Sequence, residues 1–182
     1  MFDRPGPFRF GRSSTAQLET LHPDLRRVLR RAIRIVDFSI TEGRRSLETQ
    51  IVYLRRGVTR TIDSRHIPRD ERGDYEPEGL SEAADLTPYQ PGVNPWPQRG
   101  DSPEVVQKKA HRFYFLQGVL YAVSHALKVD VRLGVDWDSD LDFFDQTFDD
   151  LGHIELRRDR PPLRIPPALQ EDVDAAMGLF HA

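Results

Sequence analysis

No cysteine occurs among the 182 residues, which excludes disulfides and thiolate metal sites. Any metal must therefore be held by histidine and carboxylate, and the fold is indifferent to the redox state of its compartment. Long apolar runs are missing too. Nothing approaches the ~20 residues that a membrane-spanning helix needs, and the opening MFDRPGPFRFG lacks the apolar stretch of a secretory signal. There is no basic excess either. A net charge of −3 gives no reason to expect nucleic acid as a partner.

What is present is enough for one domain with a proper core, at 38% hydrophobic and 30% charged residues. The charge is unevenly spread. Residues 12–34 hold six arginines against two acids, and residues 136–150 hold seven aspartates and no base; the arginine-rich helix at 25–34 reads as a solvated face, with contact to an anionic envelope or cell-wall polymer as the lesser alternative. No internal repeat is visible.

Pro23 suits a first helical position, and Leu25, Val28, Leu29, Ala32 and Ile33 follow helical spacing with arginines opposite. In DFSITEG, Phe38 and Ile40 alternate with polar residues, as in a short strand ending at Gly43. Ser46 caps a helix to about Arg56 that buries Leu47, Ile51 and Leu54, and Gly57 ends it. Residues 67–101, rich in proline, glycine and acids, read as long loops. Ser102-Pro103 opens the longest helix, over 104–127, with Val106, Ala110, Phe113, Leu120 and Tyr121 facing inward. VDVRLG (129–134) and HIELRR (153–158) alternate as strands, and a proline-rich tail carries one short amphipathic helix. The expectation is an α+β fold, a small and largely antiparallel central sheet flanked by helices.

Two stretches set a histidine beside carboxylates, DSRHIP at 63–68 and FDDLGHIEL at 148–156. Zinc in a hydrolase takes three protein ligands and leaves a fourth position for water, whose pKa falls to about 7. His66, Asp85 and His153 are candidates for the three. The water still needs a base. Asp150 stands three residues before His153, where a turn would set its carboxylate beside the metal without ligating it. On spacing alone the alternative stays open, because two histidines and some aspartates occur in most chains.

At these residues the sequence resembles the D-alanyl-D-alanine carboxypeptidase superfamily of zinc peptidases, and within it the L-alanyl-D-glutamate endopeptidases used as phage endolysins. Their pattern SxHxxGxAxD is matched by Ser64-Arg65-His66 and Ala83-Ala84-Asp85, and their DxxH with an apolar-Glu step by Asp150-Leu151-Gly152-His153-Ile154-Glu155. FRFGRSSTAQL, EGRRSLETQIVYLRRGVT and RLGVDWD resemble further segments, in the same order, over residues 7 to about 157. The resemblance implies zinc on His66, Asp85 and His153, with Asp150 as general base and then acid to the leaving amine. It places Arg45 and Gln50 near substrate and Ser64 beside the metal, with Glu155 orienting a ligand. An exposed helix-start arginine, a turn serine and an exposed strand glutamate are the plain alternatives for Arg45, Ser64 and Glu155.

One departure stands out. Eighteen residues separate His66 from Asp85, where the family has six, and Ser81 stands where its glycine would be. Asp70 and Asp74 in this insertion are rival ligands to Asp85. His111 and His125, inside the long helix, read as packing or solvated residues. DWDSDLD sets acids at 136, 138, 140 and 142 like the start of a calcium loop, but without an EF-hand's glycine and closing glutamate. It is a Ca2+ site or a solvated acidic rim.

The expected organisation is a catalytic domain over 1–157, with the insertion at 67–80, and a C-terminal extension over 158–182. The function implied by resemblance is that of a phage endolysin, a monomeric zinc peptidase hydrolysing the L-Ala–D-Glu bond of peptidoglycan stem peptides. It would wait in the host cytoplasm until a holin-type protein admits it to the periplasm. The rivals are a D,D-carboxypeptidase or dipeptidase with the same chemistry, and a wall-binding module that keeps zinc only for structure.

Overall fold

The computed structural model describes residues 7–143, 145 and 147–179. Among them the chain runs α1 (Arg12–Glu19), α2 (Pro23–Ala32), β1 (Phe38–Glu42), α3 (Leu47–Arg55), β2 (Ala83–Pro88), α4 (Pro103–Leu127), β3 (Val131–Leu133), β4 (His153–Leu156) and α5 (Pro167–Gly178). The four strands form one antiparallel sheet in the order β1-β2-β4-β3. The expected α+β architecture is therefore observed.

Local chemistry accounts for the elements read correctly. In α2 the His22 ring accepts from the Asp24 amide, Pro23 begins the helix, and Arg30 and Arg31 close it, so both ends complement the helix dipole. Leu25, Val28 and Leu29 are fully buried, each contributing about 1.5–3 kcal/mol relative to exposure. In α3 the Ser46 hydroxyl accepts from the Thr49 amide at 3.2 Å, and Gly57 follows with a positive φ of 67°.

Two expectations are corrected, and one element was missed. The segment 67–101 is not all loop, since β2 lies within it at the centre of the sheet. Its alanines and aspartate are poor strand formers, and it is held by pairing on both edges. In α4 the inward face is Phe113, Leu116, Gln117, Leu120, Val123 and Ser124, while Val106 and Tyr121 are 37% and 44% exposed. The first turns of this helix run past the sheet, so only its later turns have a core to face. Helix α1 was not foreseen: Gly11 gives it no side-chain cap, and it buries only Ser14 and Leu18.

Two apolar clusters result. The larger joins α1, α2 and α4 to the sheet. In the smaller, Leu47, Ile51 and Leu54 of α3 pack with Ile67 and with Val173 and Ala176 of α5. The insertion and the tail are tied together over this second cluster. The Arg164 amide donates to the Gly73 carbonyl at 2.8 Å, and the Arg69 guanidinium donates to the Pro161 carbonyl at 3.0 Å. Gly73 has a φ of 91°, and a Cβ there would lie 2.3 Å from the Pro162 carbonyl oxygen, so only glycine fits. Ser81 needs no such freedom. The non-glycine residues described with positive φ are Lys128, Ser139 and Leu141, and the Ser81 hydroxyl donates to the Ala83 carbonyl at 2.7 Å.

Candidate metal centre

Sheet register builds the centre of the site. Antiparallel pairing sets Asp85 of β2 directly opposite His153 of β4. Alternation along β4 then puts Glu155 on the same face as His153, and Arg132 of β3 pairs with Glu155 from the next strand. His66 arrives from the turn before the insertion. Its amide donates to the Ser64 hydroxyl at 3.3 Å, and its carbonyl accepts from the Arg45 amide at 3.0 Å. His66, Asp85 and His153 each offer a ligand atom, and these lie within 4.8 Å of one another.

The ring nitrogens are already sorted for ligation. His66 Nδ1 lies 2.6 Å from the Gly43 carbonyl, which only a ring N–H satisfies, so Nε2 is left free at 3.2 Å from the Asp85 carboxylate. His153 Nε2 lies 3.0 Å from Glu155 Oε2, leaving Nδ1 toward Asp85 at 3.1 Å. Anchoring the second nitrogen on a carbonyl or carboxylate is how metal-bound histidines are oriented. Two neutral imidazoles and a carboxylate form a donor set that suits zinc.

Electrostatics agree with a place for a cation. Burial alone would lower His153, but the Asp85 and Glu155 carboxylates raise it to about 9. Burial would raise Glu155, yet the bond and charge of His153, with the Arg132 guanidinium, hold it down to about 2. Asp85 is likewise pulled well below its ordinary value against its burial, by His66 and His153. The carboxylates around His153 thus favour positive charge at this point, which a bound cation would supply.

Around this trio lies a cleft of about 1300 Å3, lined by Arg45, Tyr53, Ser64, Arg132, Trp137 and Asp150 among others. Asp150 is half-buried and ordered through its backbone: its amide donates to the Gly134 carbonyl at 2.8 Å, and its carbonyl accepts from the His153 amide at 3.0 Å. Its carboxyl is raised, first by burial and also by the Asp85 charge, against the opposing pull of both histidines. Gly134 permits this close approach, since a Cβ there would fall 2.2 Å from the Asp150 carbonyl oxygen.

Arg45 is not an exposed helix-start arginine. Its side chain is 10% exposed, is ion-paired with Glu42, and lies 3.4 Å from Asp85 Oδ2. Gln50 is fully buried behind it, accepting from Arg45 at 2.8 Å and donating to the Thr61 carbonyl at 2.6 Å. Gln50 thus meets the cleft only through Arg45. The irregularity in β1 between Ile40 and Glu42 turns Glu42 toward this arginine. Glu155 is buried rather than an exposed strand residue.

The rival aspartates of the insertion lie apart from this trio. Asp70 closes the insertion's turn on the amides of Arg72 and Asp74 at 2.9 Å, and Asp74 faces Arg164 at 3.8 Å. Neither joins the histidines. His111 and His125 are exposed on α4. Asp136, Asp138 and Asp140 do group within 4.8 Å, with Asp136 accepting from the amides of Asp140 and Leu141 at 3.2 and 3.3 Å.

Sequence reasoning gave no role to Trp137, whose ring lies 5.4 Å from that of His153, nor to Arg132, which stacks over Trp137 at 5.5 Å. The alternation of VRLG and the Asp-Trp pair were the available signals. Glu42 and Tyr53, the latter beneath Arg45 at 4.8 Å, were given no role either, although both lie in the EGRRSLETQIVYLRRGVT stretch.

The family model for phage L-alanyl-D-glutamate peptidase matches residues 7–157. An L-alanyl-D-glutamate peptidase of Escherichia phage T5 is 28% identical over 158 residues, covering 82% of this chain and 98% of that protein. The crystal structure of Serratia marcescens L-Ala D-Glu endopeptidase ChiX covers 82% of this chain and 91% of its own, with a TM-score of 0.56. At 24% identity that likeness speaks for the fold.

Proposed function

The chain belongs to the phage L-alanyl-D-glutamate peptidase family, and on that premise we propose that it is a zinc-dependent endolysin cutting the L-Ala–D-Glu bond of peptidoglycan stem peptides. The observation that carries the reading is the trio His66, Asp85 and His153, with both histidines tied back through their other nitrogen and a half-buried carboxylate alongside.

Zinc, which His66, Asp85 and His153 would hold, would supply Lewis-acid activation of water and of the scissile carbonyl. The remaining work falls to the protein. Asp150 takes the proton of the attacking water and returns it to the leaving amine, a role worth about 10²–10⁴ in rate. Arg45, with its nitrogens committed to Glu42, Gln50 and Asp85, fixes the Asp85 carboxylate and adds positive potential to the cleft. Ser64 holds the His66 turn, Gln50 holds Arg45, and Glu155 holds His153.

The rival with the same chemistry is a D,D-carboxypeptidase. Mass spectrometry of digested sacculi separates them: new N-terminal D-Glu is expected, and free D-Ala as the sole product would refute the assignment. A wall-binding module with structural zinc would have no use for Asp150, and would release nothing. A Ca2+ ion at Asp136, Asp138 and Asp140 is a second cofactor reading. Calorimetric calcium titration of an Asp138→Asn, Asp140→Asn variant against wild type tests it, with equal heats counting against it.

No helix among the described residues is long and apolar enough to cross a membrane. We propose that the enzyme acts as a monomer and waits in the host cytoplasm until a holin-type protein opens the way to the periplasm. Lysis on expression without any such protein would contradict that timing.

A further inference from the structure

The family match stops at residue 157, yet the next residues reach the cleft. Arg160, 11% exposed, lines it beside Arg65. It arrives there because the tail is pinned to the insertion at Gly73 and Pro161. Arg160 donates to Asp63 at 2.9 Å, sharing that carboxylate with Arg69, and lies 3.6 Å from Glu82, which already pairs with Arg65 and Arg158. Arg65 also lies 3.3 Å from Glu155, which Arg132 holds as well. Five guanidiniums therefore share the carboxylates of Asp63, Glu82 and Glu155, and three of them, Arg65, Arg132 and Arg160, line the cleft.

This ion-pair cluster holds more guanidiniums than carboxylates. Burial and the neighbouring Arg69 and Arg65 push Arg160 down to about 10, although Asp63 and Glu82 oppose the shift. Arg69 Nε is buried with no hydrogen-bond partner among the described residues. An incoming carboxylate would relieve the repulsion and gain charge-assisted bonds.

We propose that Arg160, backed by Arg65, binds the free carboxylate of the diamino acid that follows D-Glu in the stem peptide. The proposal rests on the peptidase reading above. It makes the C-terminal tail the part of this enzyme that tells a diaminopimelate stem from a lysine stem. The position fits the peptide's order: D-Glu itself adjoins the scissile bond at His66, Asp85 and His153, and the Arg65–Arg160 wall begins one ion pair further, beyond Glu155.

The test compares two synthetic tetrapeptides, L-Ala–γ-D-Glu–diaminopimelate–D-Ala and its lysine counterpart, with zinc-loaded wild-type and Arg160→Gln enzymes. Wild type should favour the diaminopimelate peptide by at least about tenfold in kcat/KM, mainly through KM, as a charge-assisted pair implies. Arg160→Gln should lose most of that preference, with kcat on either peptide changing less than about threefold. Equal cleavage of both peptides by wild type, or an equal loss on both in the variant, overturns the proposal. Cleavage of neither peptide by wild type sinks the peptidase reading, and this inference with it. If Arg160→Gln fails to melt cooperatively, Arg160→Lys, which keeps the charge but loses the fork, carries the comparison and should show an intermediate preference.

Discussion

Replacing Glu155 by glutamine probes how the site orients its ligands. Glu155 Oε2 lies 3.0 Å from His153 Nε2, while Oε1 accepts from Arg132 at 2.8 Å and faces Arg65 at 3.3 Å. The amide keeps the shape and one acceptor but removes the charge, and its NH2 cannot accept from the imidazole or either arginine. Loss of such a partner typically weakens metal binding about 10–100-fold, or roughly 1.4–2.8 kcal/mol. The glutamate side chain is 6% exposed, so the arginines left without it add a folding cost of about 3 kcal/mol. Glu155 is held down to about 2 from 4.5. Its contribution is therefore complete above pH 4.5 and fades only as pH falls toward 2. At pH 7 the full loss should be visible. Zinc affinity by chelator competition, with melting curves of the metal-free and zinc-loaded forms, separates the two effects. Arg132→Gln serves as control, leaving the carboxylate on His153 and costing less zinc affinity. A Glu155→Gln protein that folds and binds zinc within about threefold of wild type would refute this account of His153.

Asp150→Ala should keep its zinc and lose at least about 100-fold in kcat on sacculi; unchanged turnover would remove Asp150 from the mechanism. Because the Asp150 carboxyl is raised above its ordinary 3.8, activity should decline as pH falls through that raised value, and the alanine variant's residual rate should lack this limb. Gly134→Ala should displace the Asp150 and His153 backbones, since its Cβ would lie 2.2 Å from the Asp150 carbonyl oxygen; a variant with wild-type melting and rate would count against that packing. Asp63→Asn should lower the melting temperature by about 2–4 °C, a loss of about 1 kcal/mol at a carboxylate that is 42% exposed and so partly screened. Burial opposes the shift, but Arg69 and then Arg160 lower Asp63 below 3.8. The difference between wild type and variant should therefore close as pH drops below that value, and a gap that persists would show that the charge is not responsible.

Local patterns were legible where one residue decides the outcome. Ser46 and Gly57 bounded α3, Pro23 opened α2, and the motif ending in Ala-x-Asp picked Asp85 across the long insertion. What escaped was set by distant partners. Strand β2 is made of residues that only pairing on both edges can hold extended, and α4's buried face depends on where the sheet ends. Arg45 read equally well as a solvated helix-start residue because Glu42 and Asp85 come from β1 and β2. The insertion and the tail read as unrelated segments, since nothing local signals that Gly73 will meet Pro162 and Arg164. Their meeting closes the second apolar cluster and carries Arg160 to the cleft.

The account depends most directly on zinc binding at His66, Asp85 and His153. Elemental analysis of the purified protein should find one zinc per chain, retained in Asp74→Ala and lost in His66→Ala, Asp85→Ala and His153→Ala. Wild-type protein without zinc affinity, or full zinc content in those three variants, would contradict it.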